Sequence, residues 1–436
     1  MTDTLSDSSP GSYGRRNHPS LEGTFEARAP QRAAEPPHMN NDQAYLFETA
    51  RSGDPLALAR LLVSTPSVNP ALSPGGDGEG RIAAVAAGLL KGWAFAVETP
   101  EVRPGRPNVI ARLEGSGNTT LLLNGHLDTV GVEGMSIHPF APQILGSRLL
   151  GRGACDMKGG VAALLAAACR LARSRPRPHL IVLLTADEEY TSLGMDEFVR
   201  GGPSADLAIV CEPTGLAVMP AHKGFVWVGV VFEGRAAHGS RPEEGVDAIR
   251  HAALFIAALD RYNATLRSRA RHPLLGYGSL HIGTIGGGSA PSVYPDRCEV
   301  RLECRTLPGT PSDRVLVELE SVLEELRARE PALRATLALT LARHGTEVAA
   351  DSRLVRGLLA ACEAHRVEPR VEGMTAWVDA AILNEAGIPA VCFGPGSMAQ
   401  AHTADEWIET SEIAGCAEVL ETFARSLVDG TLSGHG

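Results

Sequence analysis

The strongest constraint on this chain is a repeated event: a short apolar run, then at once a histidine or a carboxylate. "LLLNGHLDTV" delivers His126 and Asp128, "LIVLLTADEE" delivers Glu188 and Glu189, "LAIVCEP" delivers Glu212, and "PAVCFGPG" leads to His402. These runs, with "NVIARLEG", have strand length, and helix-length segments separate them. "GGVAALLAAACRLARS" is apolar on nearly every face and so reads as a buried helix; "DAAILNEAG" is a shorter one closed by Gly387. Strands alternating with helices predict an α/β fold with a mostly parallel sheet flanked by helices. Open sheets of this kind place ligands at the carboxyl ends of their strands.

The middle of the chain follows another order. "FVWVGVVFEG", "GSLHIGTIGG", "CEVRLECRTL" and "ATLALTLA" read as strands, and "EEGVDAIRHAALFIAALDRY" reads as a helix. A second helix is expected from Thr310 as N-cap and Pro311 in the first turn, with Leu316, Leu319, Leu323 and Leu326 on its apolar face. The resulting β-α-β-β-α-β order predicts a ferredoxin-like α+β unit inserted in the larger domain. The expected division is a disordered tail over 1–40, a first part of the larger domain over 41–217, the inserted unit over 218–346 and a second part of the larger domain over 347–436.

Composition narrows the functional classes. A chain of 436 residues with formal net charge -11 is long enough for more than one domain. Its charge argues against nucleic acid and acidic membranes as partners, because phosphate neutralisation needs clustered cations. Eight scattered cysteines without a CxxC pair predict buried thiols in a reducing compartment, and no run approaches a membrane span. The expected location is the cytoplasm.

The residues collected at the strand ends are two histidines and several carboxylates, with Asp156 added by "GRGACDMKGG" just before the buried helix. Such charges in a partly dry cleft cost several kcal/mol per ion unless cations compensate them. Mixed imidazole and carboxylate ligation suits zinc, with cobalt or manganese as substitutes. Five ligands, one of them shared, fit two divalent metal ions about 3.5–4 Å apart. Each piece alone is weak, since a lone HxD is commonly a turn and DEE commonly a surface run. Their order, each after a strand, gives the pattern its weight.

Over roughly residues 45 to 430 the chain resembles the di-zinc amidohydrolase family of aminoacylase, acetylornithine deacetylase, succinyl-diaminopimelate desuccinylase and glutamate carboxypeptidase. The motifs "GHLDTV", "GRGACDMKGG", "TADEE", "CEPT", "AAHGSRPEEGVDAI", "RTLPG" and "AHTADEWI" carry the resemblance. It implies a zinc-peptidase-like catalytic domain, Asp156 as bridging ligand, His126 and Glu212 at one metal, and Glu189 and His402 at the other. It also implies catalytic parts over 41–217 and 347–436, Glu188 as general base, a cis peptide between Asp156 and Met157, and a homodimer through the inserted unit over 218–346, acting as a lid. Asp128 would orient the His126 imidazole. His238 would reach a neighbouring active site and stabilise the tetrahedral oxyanion.

On the substrate side, the resemblance implies that Arg305 pairs with a substrate carboxylate, which a guanidinium suits. Thr375 and Trp377 would lie near the site, Trp377 either in an acyl pocket or in the core. Ser292 stands where many family members carry Asn. Lys158 and Lys223 receive no role beyond local structure, Cys155 and Cys211 are expected to pack behind strands, and Asp187 is left as a structural residue. The implied reaction is removal of an acyl group from an N-acyl amino acid or related amine. The alternative is a metallo-dipeptidase or carboxypeptidase of the same family; Glu212 in "CEPT", rather than Asp, leans toward the deacylases. A catalytically silent relative would lack a ligand or the base, and none is missing.

Overall fold

The computed structural model describes residues 41–429, so the expected tail over 1–40 lies outside the described residues. Helices α1 (Asn41–Ala50), α2 (Pro55–Val63) and α3 (Gly80–Gly92) come first among the described residues. Asp54 caps α2 through its carboxylate on the Ala57 amide, with Pro55 at the first helical position.

The chain then builds β1 (Ala96–Glu98), β2 (Val109–Leu113), β3 (Thr120–His126), β4 (His179–Thr185), β5 (Leu207–Val210) and β6 (Val218–His222). It leaves this layer for β7 (Gly224–Glu233), β8 (Ser279–Gly287), β9 (Arg297–Thr306) and β10 (Arg334–Arg343), and returns with β11 (Val371–Met374) and β12 (Ala390–Cys392). The large sheet has eight strands in the order β1-β2-β4-β3-β5-β12-β6-β11. Its centre, β4-β3-β5-β12, is parallel, while β1-β2, β2-β4 and β12-β6 pair antiparallel. The sheet is therefore mixed, with the parallel part where the functional runs fall. Val218–His222 pairs in this sheet, so the middle unit begins one strand later than residue 218.

Between β3 and β4 runs α4 (Gly159–Ala172), buried along nearly its whole length. It packs with α2 and with α10 (Thr410–Asp429) over one face of the sheet in a single aliphatic cluster. The other face is covered by α5 (Leu193–Arg200) and α9 (Ala380–Glu385), which belong to a separate cluster with Leu122, Leu183 and Val210. Both faces of the central strands are thus apolar, which explains why they read as continuous hydrophobic runs.

The second sheet has four strands in the order β8-β9-β7-β10, all antiparallel. Helices α6 (Ala248–Ser268) and α7 (Ser312–Arg329) cover one face and form its own apolar cluster around Phe232, Phe255 and Leu319. Leu319, Leu323 and Leu326 of α7 are buried there, with Leu316 partly so. Thr310 does not cap α7. Pro311 occupies the cap position instead, with extended backbone (φ -67°, ψ 143°) and no side-chain cap. Helix α8 (Arg353–Ala364) then leads back to the large sheet.

Candidate metal centre

The parallel strands bring their carboxyl ends to one edge, and the loops leaving them hold the polar residues. His126 is the last residue of β3; Glu188 and Glu189 follow β4 by three and four residues; Glu212 lies two beyond β5; His402 lies in the loop after β12. Asp156 sits in the tight turn Ala154–Lys158 that opens α4, and the Asp156–Met157 peptide is cis. Gly160 in the first turn of α4 lets that helix approach the chain leaving β5 closely. A Cβ on Gly160 would come within 2.0 Å of the Cys211 carbonyl oxygen, the residue before Glu212.

Asp156 faces both histidines. Its Oδ1 is 3.0 Å from His126 Nε2 and its Oδ2 is 3.4 Å from His402 Nε2. Glu189 Oε2 lies 3.1 Å from the same His402 nitrogen. Ligand atoms of His126, Asp156 and Glu212 lie within 4.8 Å of one another, and so do those of Asp156, Glu189 and His402. The structure thus gathers two three-residue sets with Asp156 common to both. Two imidazoles and three carboxylates form a donor set that fits a pair of divalent cations.

Electrostatics point the same way. Burial pushes the Glu188 and Glu212 carboxyls well above the ordinary range, and neighbouring carboxylates add to it. Burial also opposes ionisation of Asp156, but hydrogen bonds from His126 and His402 outweigh it and hold that carboxyl below the ordinary range. Hydrogen bonds to Asp156 and Glu189 raise His402 to about 10. The cluster draws protons onto its imidazoles, and the same field attracts metal cations.

The surrounding contacts refine the role expected of Asp128. His126 Nδ1 lies 2.9 Å from the Asp128 backbone carbonyl, whereas the Asp128 carboxylate is 3.7 Å away. That carboxylate instead accepts the amides of Glu188 at 3.1 Å and Glu189 at 3.2 Å, and Asn69 Nδ2 at 2.8 Å. Asp128 therefore holds the imidazole through its main chain and the TADEE turn through its side chain. Asp187, the unexplained member of that turn, is buried with φ 67°. Its carboxylate accepts Arg106 Nη1 at 2.8 Å, Asn69 Nδ2 at 3.1 Å and the Thr191 hydroxyl. Arg106 also pairs with the fully buried Glu79.

Several of these residues escaped the sequence reading. Asn69, Glu79 and Arg106 lie outside the strand-end pattern. Asp379, two residues after Trp377, also lies outside that pattern; it is buried and accepts Thr185 Oγ1 at 3.0 Å. Glu406 is buried four residues after His402 and binds the turn that carries Asp156. Only Glu406 had a local signal, the acidic pair in "TADEW". Cys155 sits in the Asp156 turn rather than on a strand and donates through Sγ to the Ser397 carbonyl.

A cleft of about 220 Å³ opens beside the cluster, lined by Asp156, Glu188, Glu212, Arg305 and Trp377 among others. Thr375 and His238 are not among its lining residues. Thr375 is exposed, and its turn presents Ala376, Trp377 and Val378 to the cleft instead. His238 is exposed on the loop after β7, with Nδ1 2.8 Å from Ser240 Oγ. Ser292 engages this same loop through its carbonyl, which accepts the Gly239 amide at 2.8 Å.

Residues 122–426 match the model of peptidase family M20/M25/M40. The chain belongs to that family. Acetylornithine deacetylase of Vibrio atlanticus is 33% identical over 371 residues, 84% of this chain and 96% of that protein. The Myxococcus xanthus protein of the same name is 34% identical over 312 residues, 70% of this chain and 80% of that one. Among solved structures, aminopeptidase PepT from Bacillus cereus superposes with TM-score 0.71 at 21% identity, over 86% of this chain and 98% of that one. The YXEP protein of Bacillus subtilis, described as a dinuclear metal binding peptidase, gives TM-score 0.67 at 15% identity over 87% and 99%. At these identities the structural likeness bears on the fold, which is that of the family: an α/β catalytic layer with an inserted α+β unit. Among the described residues no helix is long and apolar enough to cross a membrane.

Proposed function

We propose that the protein is a metal-dependent amidohydrolase that removes the acyl group of an N-acyl amino acid. The observation that carries this reading is the pair of ligand sets sharing Asp156, with the Glu188 carboxylate beside them. Relatives named acetylornithine deacetylase, matched over most of their length, support the reaction class. His126, Asp156 and Glu212 would hold one ion, and Asp156, Glu189 and His402 the other. Zinc suits this mixture of imidazole and carboxylate, and cobalt or manganese would substitute.

When bound, such a pair supplies Lewis acidity, lowering the pKa of a water and polarising the scissile carbonyl. The chain's own residues then do the rest. Glu188 takes the water proton on its carboxylate and returns it to the leaving amine nitrogen. Asp128, through the amides of Glu188 and Glu189, keeps base and ligand at fixed separation. Arg305 lies on the cleft wall and offers its guanidinium to the substrate carboxylate. We assign residues 224–343 the role of lid, and His238 the role of oxyanion donor to the partner's site in a lid-mediated homodimer. The eight free cysteines are all buried, which supports a cytoplasmic setting.

The test is turnover of N-acetyl amino acids against dipeptides by the metal-loaded protein. Hydrolysis of the former is expected; hydrolysis of dipeptides alone would transfer the assignment to the peptidase branch.

A further inference from the structure

The cleft that holds the carboxylates also has aromatic lining. Phe225, at the start of β7, has its ring centroid 5.0 Å from Trp227 and 5.9 Å from Trp377, the latter edge to face. Leu341 and Met398 add aliphatic surface to the same cleft.

Ring faces of this kind attract ammonium groups, but two of them are already taken. The Arg305 guanidinium stands 5.6 Å over Phe225 and the Arg343 guanidinium 5.4 Å over Trp377. Arg343 is anchored there by two hydrogen bonds to Asp196, at 3.1 and 2.8 Å, and one to the Thr191 carbonyl. The carboxylates that line the cleft are Asp156, Glu188, Glu189 and Glu212, the candidate ligands and base. Glu303 is engaged by Trp227 Nε1 at 2.8 Å and Arg305 Nε at 2.7 Å. A cationic side chain beside these rings would find the Phe225 and Trp377 faces already occupied and no carboxylate left to pair with it. An uncharged ring or branched aliphatic group would instead bury apolar surface against three aromatic side chains.

We propose that Phe225, Trp227 and Trp377 select an N-acyl amino acid with an aromatic or large aliphatic side chain, and that Arg343 over the Trp377 face disfavours a cationic one. This rests on the deacylase reading and departs from the substrate in the relatives' name, since N-acetylornithine carries an ammonium on its side chain.

The experiment measures kcat/KM of the metal-loaded wild type for N-acetylphenylalanine, N-acetylalanine, N-acetylornithine and a dipeptide. N-acetylphenylalanine is expected to exceed N-acetylornithine by about tenfold or more, the scale on which pocket contacts discriminate. In Trp377→Ala the ratio of N-acetylphenylalanine to N-acetylalanine should fall about tenfold, mainly through KM. Trp377→Leu repeats that measurement at smaller volume change should the alanine variant fold poorly. Equal or better use of N-acetylornithine by the wild type overturns the specificity and leaves the deacylase reading intact. An unchanged ratio in the Trp377 variants overturns the role of the aromatic wall. Hydrolysis of the dipeptide alone overturns the deacylase reading itself, and the specificity with it.

Discussion

Glu406 accepts the backbone amide of Asp156 at 3.0 Å, joining the His402 loop to the turn that carries the shared carboxylate. The same oxygen accepts Cys155 N at 2.9 Å, and the other accepts Gly153 N at 3.0 Å and Arg152 Nη1 at 2.7 Å. Glu406→Ala would leave three amides without this acceptor and the buried Arg152 guanidinium without its carboxylate partner. A loss of about 3–5 kcal/mol is expected in denaturant unfolding, with reduced metal content after dialysis. Glu406→Gln, which keeps one carbonyl acceptor, should lie between the alanine variant and wild type. Wild-type metal retention in the alanine variant would count against this coupling.

Removing the proposed base should separate binding from chemistry. Glu188→Gln is expected to keep both ions, as measured by elemental analysis, while kcat falls by about 100-fold or more. Near-normal turnover with full metal content would return Glu188 to a structural role.

Chelation should abolish turnover, and adding back zinc or cobalt should restore it, because four clustered carboxylates need the cations for their function. A cobalt-loaded sample gives a visible-absorption readout independent of activity. Activity that survives exhaustive chelation would contradict the metal-dependent mechanism.

The lid-mediated dimer makes a distinctive prediction for His238. Homodimers of His238→Ala and of Glu188→Ala should each be nearly inactive. Mixed and reassociated, they should regain about a quarter of wild-type activity, because half of the dimers then hold one complete site. No recovery on mixing, with heterodimers demonstrated, would place His238 outside its partner's chemistry.

The Arg106 network should behave as a stability element. Arg106→Met strands Glu79 and Asp187 in the interior, so unfolding free energy should fall by about 3–5 kcal/mol. A fully stable variant would show that water reaches those carboxylates.

The sequence alone determined what short-range pattern can encode. Apolar runs such as "LIVLLT" and "TLLLNGH" are buried on both faces, so they marked the central strands, and the residues following them marked the functional edge. The order of elements 224–343 likewise marked the ferredoxin-like unit. Tertiary structure decided what depends on distant segments meeting. The antiparallel flanks of the large sheet reflect pairing partners that no local run specifies. Asp128 turned its carboxylate to the Glu188 and Glu189 amides, and Asp187 found Arg106, 81 residues away in sequence. Glu406 reached Asp156 across 250 residues. Hydrophobic periodicity is set within a few residues of chain, whereas a buried hydrogen bond is satisfied by whichever group the closed fold brings near.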